Sequence, residues 1–382
     1  MDYAAATPVS KRTSDAQLQA MRVFANPGAI HRDATEASRL LEYARKKIAL
    51  FLGCKSQEII FTSGGTESNN LSILGAVRAI ENEGGNLEDF HYITTRIEHP
   101  SVLECFKEIE RRGGAVTYLE PNTQGVITPD ILHDAVTDKT ALVSIGGANG
   151  EIGVVQPLHA LSKVIKEKNQ NSIFHTDAGQ APLYFPSIVH GLGVDVMTLD
   201  SGKLYGPRGV GAVYKKTSVK MSPTLHGGAQ ESGLRPGSEN VALAAGFAEA
   251  VVEVGEKREK ESKRIEQLRN FFIEELQSEM RGVQINGSGK SMLPNVVNVS
   301  IPEIDNEYIT LALDNAGISL STKSSCLEGE EDISRVVEAL GGEGWRAKNA
   351  LRFSFGSTTT KKEVAYAVKE TKRVVEEFRN LT

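Results

Sequence analysis

The stretch Glu58-Ile59-Ile60-Phe61-Thr62-Ser63-Gly64-Gly65-Thr66-Glu67-Ser68 decides how the rest of the chain is read. Its first five residues are a short, largely apolar run that reads as a buried strand. Leu71, Leu74, Val77 and Ile80 follow at helical spacing. Between strand and helix, the glycines let the backbone approach an anion closely. The first helical amides and the Thr66 hydroxyl can then donate to phosphate oxygens. Taken alone, the same residues read equally well as a plain strand-to-helix turn capped by Ser63 or Thr66.

The alternation continues outward from this unit. His91–Thr95, Ala115–Leu119, Thr140–Ile145, Ser172–Thr176, Asp195–Leu199 and Gly209–Tyr214 read as further strands, with amphipathic segments between several of them. That order predicts a mostly parallel α/β sheet covered by helices on both faces. From about Asn240 a long helical pattern runs to about Gln277, and its charged middle, Glu256–Arg264, reads as a solvated face. A smaller unit follows, with strands near Val296–Ile301, Ile318–Ser321 and Leu351–Phe355. Its helices fall near Glu307–Ala316, Ile333–Leu340 and Lys361–Arg379. The expected fold class is therefore α/β: a large domain with a mostly parallel, seven-stranded-type sheet, plus a smaller α+β domain. Residues 15–255 are assigned to the large domain, and residues 1–14 and 256–382 to the small one.

Composition narrows the function. The 382 residues are 40% hydrophobic and 24% charged, as in an ordinary globular protein. A net charge of −6 argues against a basic face for nucleic acid. The start, Met-Asp-Tyr-Ala-Ala-Ala-Thr-Pro, has no basic region leading into an apolar one, so no secretory signal is read there. No apolar run approaches the roughly 18–20 residues of a membrane span. Three cysteines, Cys54, Cys105 and Cys326, are too few and too odd for a disulfide framework, which points to the reducing cytoplasm. Cys54 and Cys105 read as small buried hydrophobes.

Two further segments carry chemistry. Asp195–Leu199 runs into Asp200-Ser201-Gly202-Lys203-Leu204-Tyr205-Gly206-Pro207-Arg208-Gly209. A lysine held in such a turn, if desolvated or flanked by cations, can form a Schiff base; a surface hairpin lysine is the blander reading. Asp177 ends another apolar strand. Ligands of open α/β sheets bind outside the carboxyl ends of the strands, and Gly65-Thr66, Asp177 and Lys203 all fall at that edge. A carboxylate there can pair with the protonated ring nitrogen of a pyridine cofactor.

With these residues in order, the sequence resembles the cysteine desulfurases, class V pyridoxal-phosphate-dependent enzymes of aminotransferase fold type I. The resemblance covers nearly the whole chain. It rests on Asp2–Pro8, Asn26-Pro27 with His31, Phe61–Leu71, Glu98-His99, Glu151-Ile152-Gly153, and Asp177 with Gln180. It continues through Lys203–Pro207, His226-Gly227-Gly228, Arg235–Asn240, Ser324-Ser325-Cys326 and Leu351–Ser354. The resemblance implies pyridoxal 5′-phosphate on Lys203 as a Schiff base, with Lys203 also moving protons at the substrate Cα. It implies that His99 stacks on the ring and helps as acid or base, that Asp177 holds the ring-nitrogen proton, and that Gln180 bonds the phenolic oxygen. Gly65, Thr66 and residues of the lysine turn would hold the phosphate. Ser238 would reach the phosphate of the neighbouring subunit, which implies a homodimer. Arg352 would clamp the substrate carboxylate, with Asn26 nearby. Cys326 would attack the sulfur of L-cysteine and become a persulfide, releasing alanine. The acceptor would be an iron–sulfur scaffold or a tRNA-thiolation protein.

Several positions depart from the family pattern. Gly202 stands where a histidine usually precedes the lysine, and Asp200 where a phosphate-binding serine is usual. Either Ser201 takes the phosphate role, or an acid faces the phosphate. Gly150 replaces an asparagine that commonly touches the cofactor, leaving Asn149 and Gln180 nearby. Lys323 and Ser232 also replace usual residues. The alternatives to a cysteine desulfurase are a selenocysteine lyase or other class V enzyme, and a non-catalytic sulfur-relay scaffold.

Overall fold

A computed structural model describes residues 1–322 and 333–381. Seven strands form the main sheet: β1 (Ile59–Thr62), β2 (His91–Thr95), β3 (Ala115–Leu119), β4 (Thr140–Ser144), β5 (Ile173–Asp177), β6 (Val196–Asp200) and β7 (Gly211–Lys215). Their order across the sheet is β1-β7-β6-β5-β4-β2-β3. All neighbours from β6 to β3 are parallel, and β7 runs antiparallel to both β1 and β6. Consequently β1 to β6 all end at one edge, and the loops that follow β1, β2, β4, β5 and β6 converge there. The strands are nearly continuous apolar runs because helices cover both faces.

Three shorter strands form the second sheet, in the order β10-β9-β8: β8 (Gln284–Asn286), β9 (Val296–Ser300) and β10 (Ala350–Ser354), all antiparallel. The helix Val241–Glu279 serves both cores. Val241, Phe247, Val251 and Val254 pack with the large sheet, whereas Ile265, Leu268, Phe272 and Leu276 pack with the small one. At about 1.5 Å per residue, its 39 residues are long enough to pass from one core to the other. Its charged middle is mostly solvated, but two of its arginines find partners elsewhere in the fold. Arg258 stacks 4.8 Å above the Phe51 ring, and Arg264 donates to the carbonyls of Gly356, Ser357 and Thr359.

The small sheet corrects two expectations. Ile318–Ser321 is not a strand: Ile318 and Leu320 are buried in alternation, but Ser321 alone bridges to Arg352. Gln284–Asn286 is a strand that hydropathy did not flag, because polar pairing stabilises it. Asn286 is fully buried, donating to Asn298 and Ser300 and accepting from Arg346.

The lysine turn is the most constrained connection. Asp200 caps it by accepting from the Gly202 amide at 2.8 Å. The N-terminal segment is laced to it: Thr7 N and Oγ1 donate to Gly202 O, Tyr205 N donates to Thr7 Oγ1, and Ser10 N donates to Tyr205 O. These bonds hold Tyr205 at φ 59°, a conformation costly for a residue with a Cβ. Gly206 is required by space, since a Cβ there would stand 2.1 Å from Ser201 Oγ and 2.9 Å from Ser201 O. Gly206→Ala is expected to lower unfolding stability by about 2 kcal/mol through overpacking, measured by denaturant melts; an unchanged midpoint would show that the turn yields freely.

Candidate active site

The strand ends enclose a cavity of about 370 Å³. Ser63–Thr66 after β1, Glu98 and His99 after β2, Asn149 and Gly150 after β4, Asp177 and Gln180 on and after β5, and Asp200 and Lys203 on and after β6 all line it. Ala4–Ala6 and Arg352 close the side toward the small sheet. The cavity therefore brings together nine of the predicted site residues: Gly65, Thr66, His99, Asn149, Asp177, Gln180, Asp200, Lys203 and Arg352.

Lys203 Nζ donates to the carbonyls of Ala4, at 2.8 Å, and of Ala5. The amine is thus aimed by backbone oxygens of the N-terminal segment. Gln180 Nε2 donates to the same Ala4 carbonyl at 3.0 Å. Its amide occupies the room left by Gly150, where a Cβ would fall 2.9 Å from Nε2.

Asp177 accepts from Gly179 N through Oδ1 and from Asn69 Nδ2 through Oδ2, both at 2.8 Å. Asn69 Nδ2 donates a second bond, also 2.8 Å, to Ser101 Oγ. Ser101 Oγ lies 2.7 Å from His99 Nδ1, which also accepts from Ser101 N as the cap of the helix Pro100–Arg111. Because Ser101 Oγ already accepts from Asn69, its own proton points to Nδ1. His99 therefore carries its hydrogen on Nε2. The ring is open to the cavity, but the surrounding wall limits hydration and lowers its pKa, with Lys203 and Arg335 adding to the effect and Asp177 and Asp200 opposing it. Glu98, immediately before it, is buried, which pushes its pKa up to about 7; the Asp177 charge adds to this, against bonds from Gly146 N and Thr95 Oγ1.

Arg352 is 4% exposed. Its Nη2 donates to Asp2 at 2.8 Å and to Ser321 Oγ at 3.1 Å, its Nη1 donates to Gly150 O, and its Nε is buried without a partner among the described residues. The phosphate-loop helix, Gly65–Asn82, begins without a side-chain cap at Gly64.

Other expected site residues fall differently. Ser201 is fully buried and its Oγ faces Gly206, so of the two alternatives for the phosphate role, it is Asp200 that reaches the cavity. Asn149 lines the cavity, but its Nδ2 donates to Ile97 O and its Oδ1 accepts from the amides of Glu151 and Ile152, so both ends of its side chain organise the loop. Asn26 is exposed and accepts from Gly28 N. Ser238 is exposed and lines a separate recess of about 200 Å³ behind the phosphate loop. Cys326 lies outside the described residues. Sequence reasoning passed over Asn69 and Ser101 as site residues. Asn69 sits one helical turn beyond Gly65, a spacing that places both at one end of the same helix. Burial pushes the Cys54 and Cys105 thiols up to about 12, so neither supplies a ready thiolate near neutral pH.

Residues 1–366 match the aminotransferase class-V family. The chain is 39% identical over 383 residues to a protein named cysteine desulfurase IscS from Dictyoglomus turgidum, covering all of this chain and 95% of that one. A solved NifS-like protein superimposes with a TM-score of 0.91 at 32% identity, covering 98% of each chain. A structure described as SspA in complex with cysteine matches with a TM-score of 0.79 at 32% identity, over 93% of this chain and 97% of that one. The chain belongs to the class V aminotransferases, and within them to the cysteine desulfurase family. It has the fold type I architecture expected from the sequence, and members of the family generally use pyridoxal 5′-phosphate.

The hydrogen-bond chain from Asp177 to His99 is directly testable. Nitrogen-15 NMR at pH 7 should show His99 neutral with its proton on Nε2, titrating below the ordinary imidazole pKa. A protonated ring at pH 7, or an Nδ1–H tautomer, would contradict the arrangement.

Proposed function

We propose that this protein is a pyridoxal 5′-phosphate-dependent cysteine desulfurase that converts L-cysteine to L-alanine and keeps the sulfur as a persulfide on Cys326. The observation carrying this reading is that Lys203 and Asp177 line the same cavity, at the carboxyl edge of the sheet, in a chain that aligns end to end with proteins named cysteine desulfurases.

The residues present suit the cofactor. Asp177 presents a carboxylate for a protonated ring nitrogen, the glycine-lined, uncapped helix start accepts an anion, and Lys203 supplies an amine within the same cavity. The buried Asn69 Oδ1, without a partner among the described residues, is a further acceptor on that wall. Bound there, pyridoxal phosphate supplies a cationic ring that withdraws electrons from the substrate carbons.

Lys203 would hold the cofactor and would move the proton at the substrate Cα. Asp177 would keep the ring nitrogen protonated, and Asn69 keeps Asp177 aimed. His99 would contact the bound ring and offers its Nε2 hydrogen toward the cavity. Gln180 would bond the phenolic oxygen, and Gly65 and Thr66 would hold the phosphate. Arg352 engages the substrate carboxylate, with its buried Nε the group still seeking a partner. The Cys326 thiolate attacks the substrate sulfur. As the sulfur–sulfur bond forms, the carbon–sulfur electron pair passes to the substrate carbon, which takes up a proton and leaves as alanine. Both described flanks of the segment containing Cys326 attach to the cavity wall, Ser321 to Arg352 and Ser334 to Glu151. That attachment supports Cys326 acting on this substrate. The persulfide then passes to an acceptor such as an iron–sulfur scaffold or tRNA-thiolation protein, in the cytoplasm. No helix among the described residues is long and apolar enough to cross a membrane.

The working form is a homodimer. Leu18, Met21, Phe24 and Ile30 are all exposed, Phe24 at 90% and Ile30 at 101%. Burying side chains of this size is worth about 2 kcal/mol each, and Asn26, within this segment, is exposed as well. Phe24→Asp is expected to shift the protein toward monomer in light scattering and to weaken cofactor retention; a wild type that is monomeric would contradict the dimer.

The activity test is mass spectrometry after incubation with cysteine. The expected result is one added sulfur on the Cys326 peptide and stoichiometric alanine. Cys326→Ala should abolish sulfide release in the presence of reductant; full activity of that variant would overturn the persulfide route.

A further inference from the structure

A carboxylate stands at the anion end of the cavity. Gly65 opens an 18-residue helix with no side-chain cap, and such helix starts draw anions through unpaired amides and the helix dipole. Asp200 is packed against that start. Its Oδ2 lies 3.1 Å from where a Cβ on Gly65 would stand. Its Oδ1 is taken up by Gly202 N, whereas Oδ2 has no hydrogen-bond donor among the described residues. Gly202 flanks the carboxylate on the other side: a Cβ there would fall 3.3 Å from Oδ1 and 3.5 Å from Arg208 Cγ. Gly202 thus leaves room beside the Asp200 carboxylate. Arg208 lines the same cavity, is exposed, and makes no ion pair among the described residues.

A fully ionised phosphate beside Asp200 meets like charge. A phosphate that keeps one proton can instead donate it to Oδ2 in a short, charge-assisted bond. We propose that Asp200 makes this anion site select a singly protonated phosphate, with Oδ2 accepting the phosphate hydroxyl and Arg208 balancing the remaining charge. The inference rests on the cofactor assignment above and goes beyond it, because it makes cofactor loading proton-linked. Lys203 and Arg208 on the same turn share the cavity with Asp200. Asp177 and His99 do so from neighbouring strand ends, and Glu67, paired with Arg235 at 2.9 Å, sits one residue past Thr66 on the helix. All of these are common to wild type and Asp200 variants.

The test is titration of apo-protein with pyridoxal 5′-phosphate from pH 6.5 to 8.5, read by the absorbance of bound cofactor, for wild type, Asp200→Asn and Asp200→Ser. Imine formation at Lys203 also varies with pH, and Asp200 lies on the same turn, so the ratio of variant to wild-type affinity is read together with the protonation state of the bound phosphate. Phosphate monoesters lose their second proton near pH 6, so that ratio should rise about tenfold per pH unit. Phosphorus-31 NMR of bound cofactor at pH 8 should show the monoanion in wild type and the dianion in Asp200→Ser. A ratio that does not change with pH, or a wild-type dianion at pH 8, overturns the proposal while leaving the cofactor assignment standing. If no form of the protein takes up cofactor at any pH, both fall together.

Discussion

One side-chain amide governs the geometry of the cavity. Asn69 Nδ2 donates at once to Asp177 Oδ2 and to Ser101 Oγ, joining the phosphate-loop helix to the ends of two strands. Through the first bond it orients a carboxylate. Through the second it decides where the Ser101 proton goes, and so which nitrogen of His99 carries hydrogen. Asn69 is 1% exposed, and amide hydrogen bonds in such surroundings are costly to break. An acid and an imidazole with separate roles are therefore set by a single donor, which couples the electronics at one end of the cavity to the imidazole on its wall.

The second constraint is topological. Reversing only β7 leaves six strands ending at one edge, and the functional loops meet there without long connections. The lysine turn alone would not be held by the sheet. It is held by the N-terminal segment, whose Ala4 and Ala5 carbonyls aim the amine and whose Thr7 stitches the turn. The same segment supplies Asp2 to Arg352. A few residues at the start of the chain thereby position both the lysine and the arginine, which come from different sheets. Any movement of that segment would alter both together.

The strand–helix alternation was legible because buried parallel strands are apolar on both faces, and all seven large-sheet strands lie within two residues of the segments read from hydropathy. The ordering of Gly65, Asp177 and Lys203 at one edge was legible for the same reason. What was not legible depended on partners distant in sequence. Nothing local distinguishes Asn149, which is consumed by its own loop, from an asparagine free to bind a ligand. Ser201 and Asp200 are adjacent, and only the close approach of Gly206 decides which one turns to the cavity. Asn69 is one of two consecutive asparagines on a helix, and its role appears only when Ser101 and Asp177 are brought beside it. Gln284–Asn286 pairs through buried amides, a pattern without hydropathy.

The claim on which the rest depends is that Lys203 carries the cofactor within this cavity. Borohydride reduction of the purified, cofactor-loaded protein, followed by peptide mapping, tests it most directly. The mass of reduced pyridoxal phosphate should appear on the peptide containing Lys203 and on no other. Its absence there, or its attachment to a different lysine, would contradict the assignment.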